Sequence, residues 1–232
     1  FDYANSKGII PLCTPWDPLS LERLESWGMS AYKVASADFT NNNLLSLIAS
    51  KGKPMLISTG MTNEHEINDG IQYLKSLKAV FILLHCNSTY PTPFKDVNLN
   101  YMQTLMSLSS GLIGYSGHER GIEVPIAAVA LGASVVEKHI TLDKAMEGND
   151  HKVSLLPEEF KQMVACIRNV KTSLGSNSAR QISQGEMMNR EILAKSLYSK
   201  YDIKKGEVVK ESMINIHSPG TGLQPNMLCS LI

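Results

Sequence analysis

The sequence predicts an α/β fold, a parallel barrel of the (β/α)8 type followed by a small β-rich domain, and three features carry that prediction. Short apolar runs alternate with helical patterns six times along the first 175 residues. The runs are nearly continuous in apolar and β-branched residues, which is typical of parallel strands covered on both faces. Polar residues follow every run. The six runs span residues 8–14, 31–36, 53–59, 79–86, 111–116 and 133–139.

The helical patterns between these runs carry apolar residues three and four positions apart, and several have recognisable ends. The first starts after Pro18, and the second opens on asparagines and closes at Gly52. Pro157 and two glutamates open the last one, where proline and negative charge favour a helix N-terminus. The six patterns span residues 19–28, 41–52, 62–78, 97–111, 124–133 and 156–175.

Alternating β and α units indicate a parallel sheet, which is either an open doubly wound sheet or a closed barrel. An open sheet concentrates its ligand groups at one switch point, whereas a barrel collects them from many strand ends into one mouth. Here all six runs end in polar residues, from Thr14 on the first to Lys138 and His139 on the last. That distribution favours the barrel. A complete (β/α)8 barrel needs eight units, and this sequence supplies six.

The composition and periodicity of the sequence change near Gly175. Residues 176–193 are polar and aperiodic, and they predict a linker. Residues 194–232 contain short β-like pieces and two turn sequences, KKGE and SPGTG, which predict part of a small β domain. The predicted organisation is a partial barrel in residues 1–175, the linker, and a partial second domain.

Bulk composition argues against several classes of function. Lys and Arg together number 22, as do Asp and Glu, so the formal net charge is zero and nothing indicates nucleic-acid binding. No apolar run approaches the roughly 20 residues that span a membrane. The four cysteines show no CxxC spacing, which predicts free thiols in a cytoplasmic protein.

Two histidines, His118 and His139, follow neighbouring apolar runs in GYSGHERG and VVEKHITLD. At the ends of neighbouring barrel strands, both imidazoles would face one mouth. Two neutral imidazoles are half of a site for Mn²⁺, Fe²⁺, Co²⁺ or Zn²⁺, which water or substrate oxygens would complete. The alternative is two unrelated histidines that are hydrogen-bonded at strand ends.

Lys33 interrupts the apolar run AYKVAS, and a buried cation requires an anion. Hydroxyl groups at neighbouring strand ends would complete a site for a phosphate or carboxylate, because such sites combine one point charge with several neutral donors. The hydroxyl groups are those of Thr14, Ser36, Ser58, Ser88 and Ser116. The alternatives are a lysine that extends its ammonium to solvent and a structural ion pair.

Two carboxylates are further candidates. Asp150, in GNDHKVS, is either an acceptor for a sugar hydroxyl, a partner of a metal-bound water, or a solvated loop residue. Asp38 follows the run that contains Lys33.

Taken together, the motifs of this chain resemble those of the sialic acid (nonulosonic acid) synthases, through essentially the whole chain. In the first 175 residues they are CTPWD, YKVAS, KPMLISTGM, LLHCNSTYPTP, IGYSGH, ALGASVVEKHITLD and GNDHKVSL. In the tail, GEMMNRE and SPGTGLQP resemble that family's connection to an antifreeze-like (SAF) domain. No single motif is specific, but the ordered set is.

The resemblance implies a fold and a reaction. The fold would be a (β/α)8 barrel, of which strands 3–8 are present, followed by an SAF domain. The reaction would condense phosphoenolpyruvate with N-acetylmannosamine or a related N-acylated amino sugar and release phosphate. His118 and His139 would hold a divalent metal, Mn²⁺ or Mg²⁺, and these two residues, Lys33 and Asp38 would form the catalytic set.

The resemblance also places the substrates. Phosphoenolpyruvate would lie over Lys33, and Tyr90 and Asp150 would face the sugar. The hydroxyl groups around the phosphate and carboxylate of phosphoenolpyruvate would be those of Thr14, Ser36, Ser58, Ser88 and Ser116.

Two positions depart from the pattern. Asp38 stands where the family often has a glutamate, and the shorter acid reaches less far. Ser218 stands where many members have an arginine that reaches the sugar of a neighbouring subunit.

Assembly and extent are further expectations. The polar linker and the resemblance predict a homodimer in which each tail domain covers the barrel mouth of its partner. The missing strands and the short tail predict the internal part of a longer protein, truncated at both ends and inactive by itself.

Two other functions remain open on the sequence. One is another phosphoenolpyruvate-dependent synthase, which would make a 3-deoxy sugar acid phosphate and would need an additional basic pocket that no cluster in the sequence indicates. The other is a non-catalytic carbohydrate-binding protein, against which the lysine and histidines at strand ends argue.

Overall fold

The computed structural model describes residues 1–109 and 111–232. Ser110, which falls in the predicted helical pattern of residues 97–111, lies outside the described residues. The chain divides into two compact units, Phe1–Gly175 and Ser176–Ile232.

The first unit is built on a parallel sheet whose strand order follows the chain, β1-β2-β3-β4-β5. All four neighbouring pairs are parallel. Sequential order with parallel pairing is the arrangement of a (β/α) barrel, whereas a doubly wound sheet reverses its order at a switch point. The strands are β1 (Tyr32–Val34), β2 (Met55–Ser58), β3 (Phe81–Cys86), β4 (Ile113–Gly117) and β5 (Ala133–Lys138).

The sheet is strongly curled, as an ion pair between its two outer strands shows. Lys33 Nζ, on β1, lies 3.5 Å from Oε2 of Glu137, on β5. In a flat sheet, four inter-strand spacings would separate these strands by about 19 Å. The concave face is therefore the interior of a barrel-like sheet, in agreement with the predicted fold class.

The first predicted strand, residues 8–14, is an exception. Only Cys13 pairs with the sheet there, through an isolated parallel bridge to Tyr32. Ile9 and Ile10 are exposed, and Pro11 has no N–H to donate to a strand ladder. The apolar run resembles a buried strand in composition but does not form one.

In the described residues of the first unit, eight helices connect and cover the strands, and several begin at caps that the sequence encodes. Asp17 accepts from the backbone N–H of Ser20, and Asn63 accepts from that of Glu66, so each supplies an acceptor that an unpaired N–H of the first turn needs. The helices are α1 (Asp2–Ser6), α2 (Pro18–Ser26), α3 (Asn42–Ala49), α4 (Glu64–Ser76), α5 (Phe94–Val97), α6 (Tyr101–Ser109), α7 (Glu123–Ala130) and α8 (Pro157–Leu174).

The two faces of each strand have different roles, because successive side chains point to opposite faces. Tyr32, Val34, Ile57 and Tyr115 belong to the buried apolar core that includes residues of α2, α3, α4 and α6. The residues between them along each strand face the concave side of the sheet, where the candidate site residues lie.

The second unit contains a helix, α9 (Gln184–Leu193), inside the segment predicted to be an aperiodic linker. The signal was present in the sequence, since Ser183 and Glu186 form a capping box. Its described residues form an antiparallel pair, β6 (Ser196–Ser199) with β7 (Ile214–His217), and a short final helix, α10 (Leu228–Leu231). None of the helices in the described part of the chain is long and apolar enough to cross a membrane.

Candidate active site

A cavity of about 430 Å³ lies at the carboxyl ends of the strands and collects all but one of the predicted site residues. Each of the five strands, or the loop after it, contributes at least one of them. The predicted residues in its wall are Thr14, Lys33, Ser36, Ser58, Ser88, Tyr90, Ser116, His118, His139 and Asp150.

His118 is held in one tautomer by its neighbours. Its Nδ1 lies 2.7 Å from the carbonyl oxygen of Asn87, and a carbonyl only accepts, so Nδ1 carries the proton. Nε2 then has a free lone pair, and the nitrogen lies 2.9 Å from the hydroxyl oxygen of Tyr90. Burial raises the pKa of Tyr90 to about 12, so the phenol is protonated and donates to Nε2.

His139 lies beside His118, with ring centroids 5.2 Å apart. Burial lowers the pKa of both imidazoles, which keeps them neutral near pH 7. Nδ1 of His139 faces a carboxylate oxygen of Asp150 at 3.7 Å, too far for a hydrogen bond. Neutral imidazoles with Nδ1 directed toward an acceptor suit metal coordination through Nε2.

The protein ligands of such a metal site would be few. Among the residues described, no group of three or more His, Cys, Asp or Glu side chains is arranged to hold a metal ion. The donor set therefore fits a cation held by two imidazoles, with the other positions left to water or substrate oxygens, and does not fit a closed structural site.

Lys33 projects into the cavity and is already paired. Its Nζ donates to Oγ of Ser58 and to the carbonyl oxygen of Val34, at 2.8 Å each, and forms the ion pair with Glu137. The Lys33 side chain is 16% exposed, whereas that of Glu137 is 37% exposed, so the pair is open to solvent at one end. An incoming anion can therefore reach the ammonium group.

The hydroxyl groups are packed closely around the backbone of Gly60. Its N–H donates to Oγ of Ser36 at 3.0 Å. A Cβ at this position would lie 2.3 Å from Oγ of Ser88 and 2.8 Å from Oγ of Ser36. Only glycine allows the loop after β2 to approach both serines.

Asp38 is the predicted residue that the structure does not bring to the cavity. It ends a 3-10 turn, Ser36–Asp38, and its Oδ1 accepts from Nδ2 of Asn41 at 2.9 Å. That bond directs the carboxylate to the start of α3, and it does not line the cavity.

Six residues of the cavity wall were not predicted, and three of them, Trp16, Cys86 and Glu137, carry polar or aromatic groups. Trp16 and Glu137 lie in its wall, and Glu137 also accepts from the hydroxyl of Ser116 at 3.1 Å. The buried thiol of Cys86 lies 3.7 Å from both Oγ of Ser36 and Nδ1 of His118. Glu137 is the residue that sequence reasoning could have found, because a carboxylate within an apolar strand requires a partner as Lys33 does.

A buried ion pair fixes the loop that carries His118. Lys138 Nζ lies 2.7 Å from Oε1 of Glu119, and both side chains are fully buried. Lys138 also donates to the backbone carbonyl of Glu119, and Tyr115 donates its hydroxyl to the same carboxylate. Because Glu119 follows His118 and Lys138 precedes His139, the network fixes the two histidines relative to one another.

Comparison with known proteins decides the family. The model of the NeuB family matches residues 1–179. The chain belongs to the NeuB family. The sialic acid (nonulosonic acid) synthase family that the motifs resemble is thereby confirmed.

Relatives of this NeuB-family chain are synthases of nonulosonic acids. The N,N'-diacetyllegionaminic acid synthase of Campylobacter jejuni is 41% identical, over 95% of this chain and 67% of its own. The human N-acetylneuraminate-9-phosphate synthase is 39% identical, over 92% of this chain and 60% of its own. The crystal structure of N-acetylneuraminic acid (sialic acid) synthetase from Leptospira borgpetersenii, in complex with citrate, is 36% identical with a TM-score of 0.76, over 81% of this chain and 66% of its own. The chain thus spans about two thirds or less of the length of these relatives.

Proposed function

We propose that the protein condenses phosphoenolpyruvate with an N-acylated amino sugar to give a nonulosonic acid and phosphate. One observation carries the proposal, namely that a lysine, a ring of hydroxyl groups and a pair of neutral imidazoles share one cavity of about 430 Å³. The first two groups suit an anion, and the imidazoles suit a divalent cation. Relatives named as nonulosonic acid synthases support the same reaction.

Phosphoenolpyruvate would bind at Lys33. Its ammonium group offers the positive charge, and the hydroxyl groups of Ser36, Ser58 and Ser88 offer neutral donors beside it. Glu137 holds Lys33 in place in the free protein, and its carboxylate would accept a proton from the attacking water. Charge and dipoles fixed before the substrate arrives stabilise the charge that develops in the reaction.

The sugar would bind on the histidine side of the cavity, near Tyr90 and Asp150. A divalent metal held by His118 and His139, Mn²⁺ or Mg²⁺, would supply Lewis-acid polarisation of the sugar aldehyde. The carbon–carbon bond forms between C3 of phosphoenolpyruvate and the aldehyde carbon, water adds at C2, and the phosphate leaves. Placing both substrates in one cavity lowers the entropic part of the barrier.

The second unit is proposed to be an SAF domain, and the protein a homodimer in which this unit covers the partner's cavity. Its helix α9 leaves Met187, Met188, Ile192 and Leu193 exposed, an apolar surface that association would bury. Light scattering should give the mass of a dimer, and a monomer with full activity would contradict the arrangement.

Phosphate release tests the reaction. Purified full-length protein is given Mn²⁺, phosphoenolpyruvate and, in turn, N-acetylmannosamine, its 6-phosphate and diacetamido-trideoxy sugars. We expect release with one sugar class and none without sugar. If none of the sugars in the panel causes phosphate release from protein whose folded state is confirmed by circular dichroism, the proposal is contradicted. A 3-deoxy sugar acid phosphate three carbons longer than a simple aldose phosphate supplied as substrate would instead support a 3-deoxy sugar acid synthase.

A further inference from the structure

A second cavity lies at the same end of the sheet, and its lining is basic. It has a volume of about 330 Å³ and is lined by Arg120, Gly121, Lys144, Lys152 and Ser154. The sequence shows no basic cluster, since the three cations are spread from residue 120 to residue 152. The fold brings them together because the loops after β4 and β5 leave neighbouring strands.

Among the described residues, two of the three cations form no ion pair. Lys144 is neutralised, because its Nζ lies 2.6 Å from a carboxylate oxygen of Glu159. Across the described ranges 1–109 and 111–232, neither Arg120 nor Lys152 has a carboxylate within ion-pair distance. A small cavity with two uncompensated positive charges attracts an anion, even in a chain of zero net charge.

The carboxylate of Glu123 lies beside Gly121 but does not line this cavity. It accepts the backbone N–H of Ile122 at 2.9 Å. Its charge reduces the local positive field, but its carboxylate forms no ion pair with Arg120 or Lys152 among the described residues.

The basic cavity adjoins the candidate active site through shared loops. Arg120 follows His118 by two residues and Lys152 follows Asp150 by two. Each pair of Cα atoms is therefore at most about 7.6 Å apart. The hydroxyl of Ser154, in the wall of the basic cavity, donates to the backbone carbonyl of Asp150 at 2.7 Å. One turn, residues 150–154, thus contributes to both cavities.

We infer that the basic cavity binds a phosphate group, carried by the amino sugar on the carbon far from its aldehyde. The inference rests on the proposed function, in which the sugar lies beside the histidines and Asp150. A guanidinium group binds two phosphate oxygens in a fork, and an adjacent ammonium adds a point charge. A sugar with a free hydroxyl in that place would leave both cations unpaired.

Equilibrium binding to the whole chain tests the inference without requiring turnover. Titration calorimetry with Mn²⁺ present compares N-acetylmannosamine, N-acetylmannosamine 6-phosphate and inorganic phosphate. We expect the phosphorylated sugar to bind at least tenfold more tightly than the other two ligands. The double variant Arg120→Gln with Lys152→Gln should lose that preference and keep its affinity for the unphosphorylated sugar.

A matched variant controls for charge alone. Arg168→Gln with Lys171→Gln removes one arginine and one lysine from the exposed face of α8, away from both cavities, and should retain the preference. Equal affinity for the two sugars in the native protein, or a preference that survives Arg120→Gln with Lys152→Gln, would overturn the inference and leave the proposed function standing. Inorganic phosphate bound as tightly as the sugar phosphate would make the cavity a site for free phosphate instead. Binding of neither sugar would contradict the proposed function and this inference together.

Discussion

Removing the hydroxyl of Tyr90 should strengthen metal binding, although Tyr90 lies in the candidate active site. Its hydroxyl donates to Nε2 of His118, and this is the lone pair that a metal held by the two histidines needs. The other ring nitrogen is committed to the carbonyl of Asn87. The phenol and the cation therefore compete for one atom, and Tyr90→Phe removes only the competitor.

The magnitude follows from the hydrogen bond that metal binding must break. One such bond contributes about 1 kcal/mol net, which corresponds to a factor of about five in affinity. Tyr90 is 40% exposed, so water replaces part of the lost bond and the gain should not exceed that factor. The ring remains in phenylalanine, and so does its packing against His118, whose centroid lies 4.1 Å away.

Calorimetric titration with Mn²⁺ measures the effect. The control is Tyr73→Phe, which removes another hydroxyl, one that donates to the carbonyl of Asn42 at 3.2 Å far from the cavity. We expect a two- to fivefold lower Kd for Tyr90→Phe and no change for the control. A higher Kd for Tyr90→Phe would mean that the phenol is itself a ligand, and the reasoning would be wrong.

Four further substitutions test the rest of the site and the buried ion pair beside it. His118→Ala and His139→Ala should each abolish Mn²⁺ binding while the circular dichroism spectrum is retained, because each imidazole serves the cavity and not the core; metal content close to that of the native protein would place the site elsewhere. Lys33→Met should weaken phosphoenolpyruvate binding at least tenfold and sugar binding little, since it removes the charge at similar length; equal losses for both ligands would argue against the assignment. Lys138→Met leaves Glu119 as a buried, unpaired charge and should lower the free energy of unfolding by about 3–5 kcal/mol in urea denaturation; a midpoint within error of the native one would mean that this pair is not buried in solution.

The family, the alternation of strands and helices, and most of the polar residues that line the cavity could be read from the sequence. Parallel strands buried on both faces require continuous apolar runs, and polar residues at their carboxyl ends must meet at one end of the sheet. Ten of the eleven predicted site residues line one cavity for that reason. The exception is informative, because Asp38 follows its strand like the others but is turned away by a local bond to Asn41.

Only the tertiary structure determined the contacts between residues that are far apart in the chain. The pairing of Lys33 with Glu137 depends on the curl of the sheet, which no local pattern reports. The basic cavity likewise depends on two loops becoming neighbours, so its cations are invisible as a cluster in the sequence. Local propensity and periodicity act over a few residues, and therefore they determine which elements form and which groups stand at their ends. The closure of the sheet determines which of those groups meet, and that is settled by packing across the whole unit.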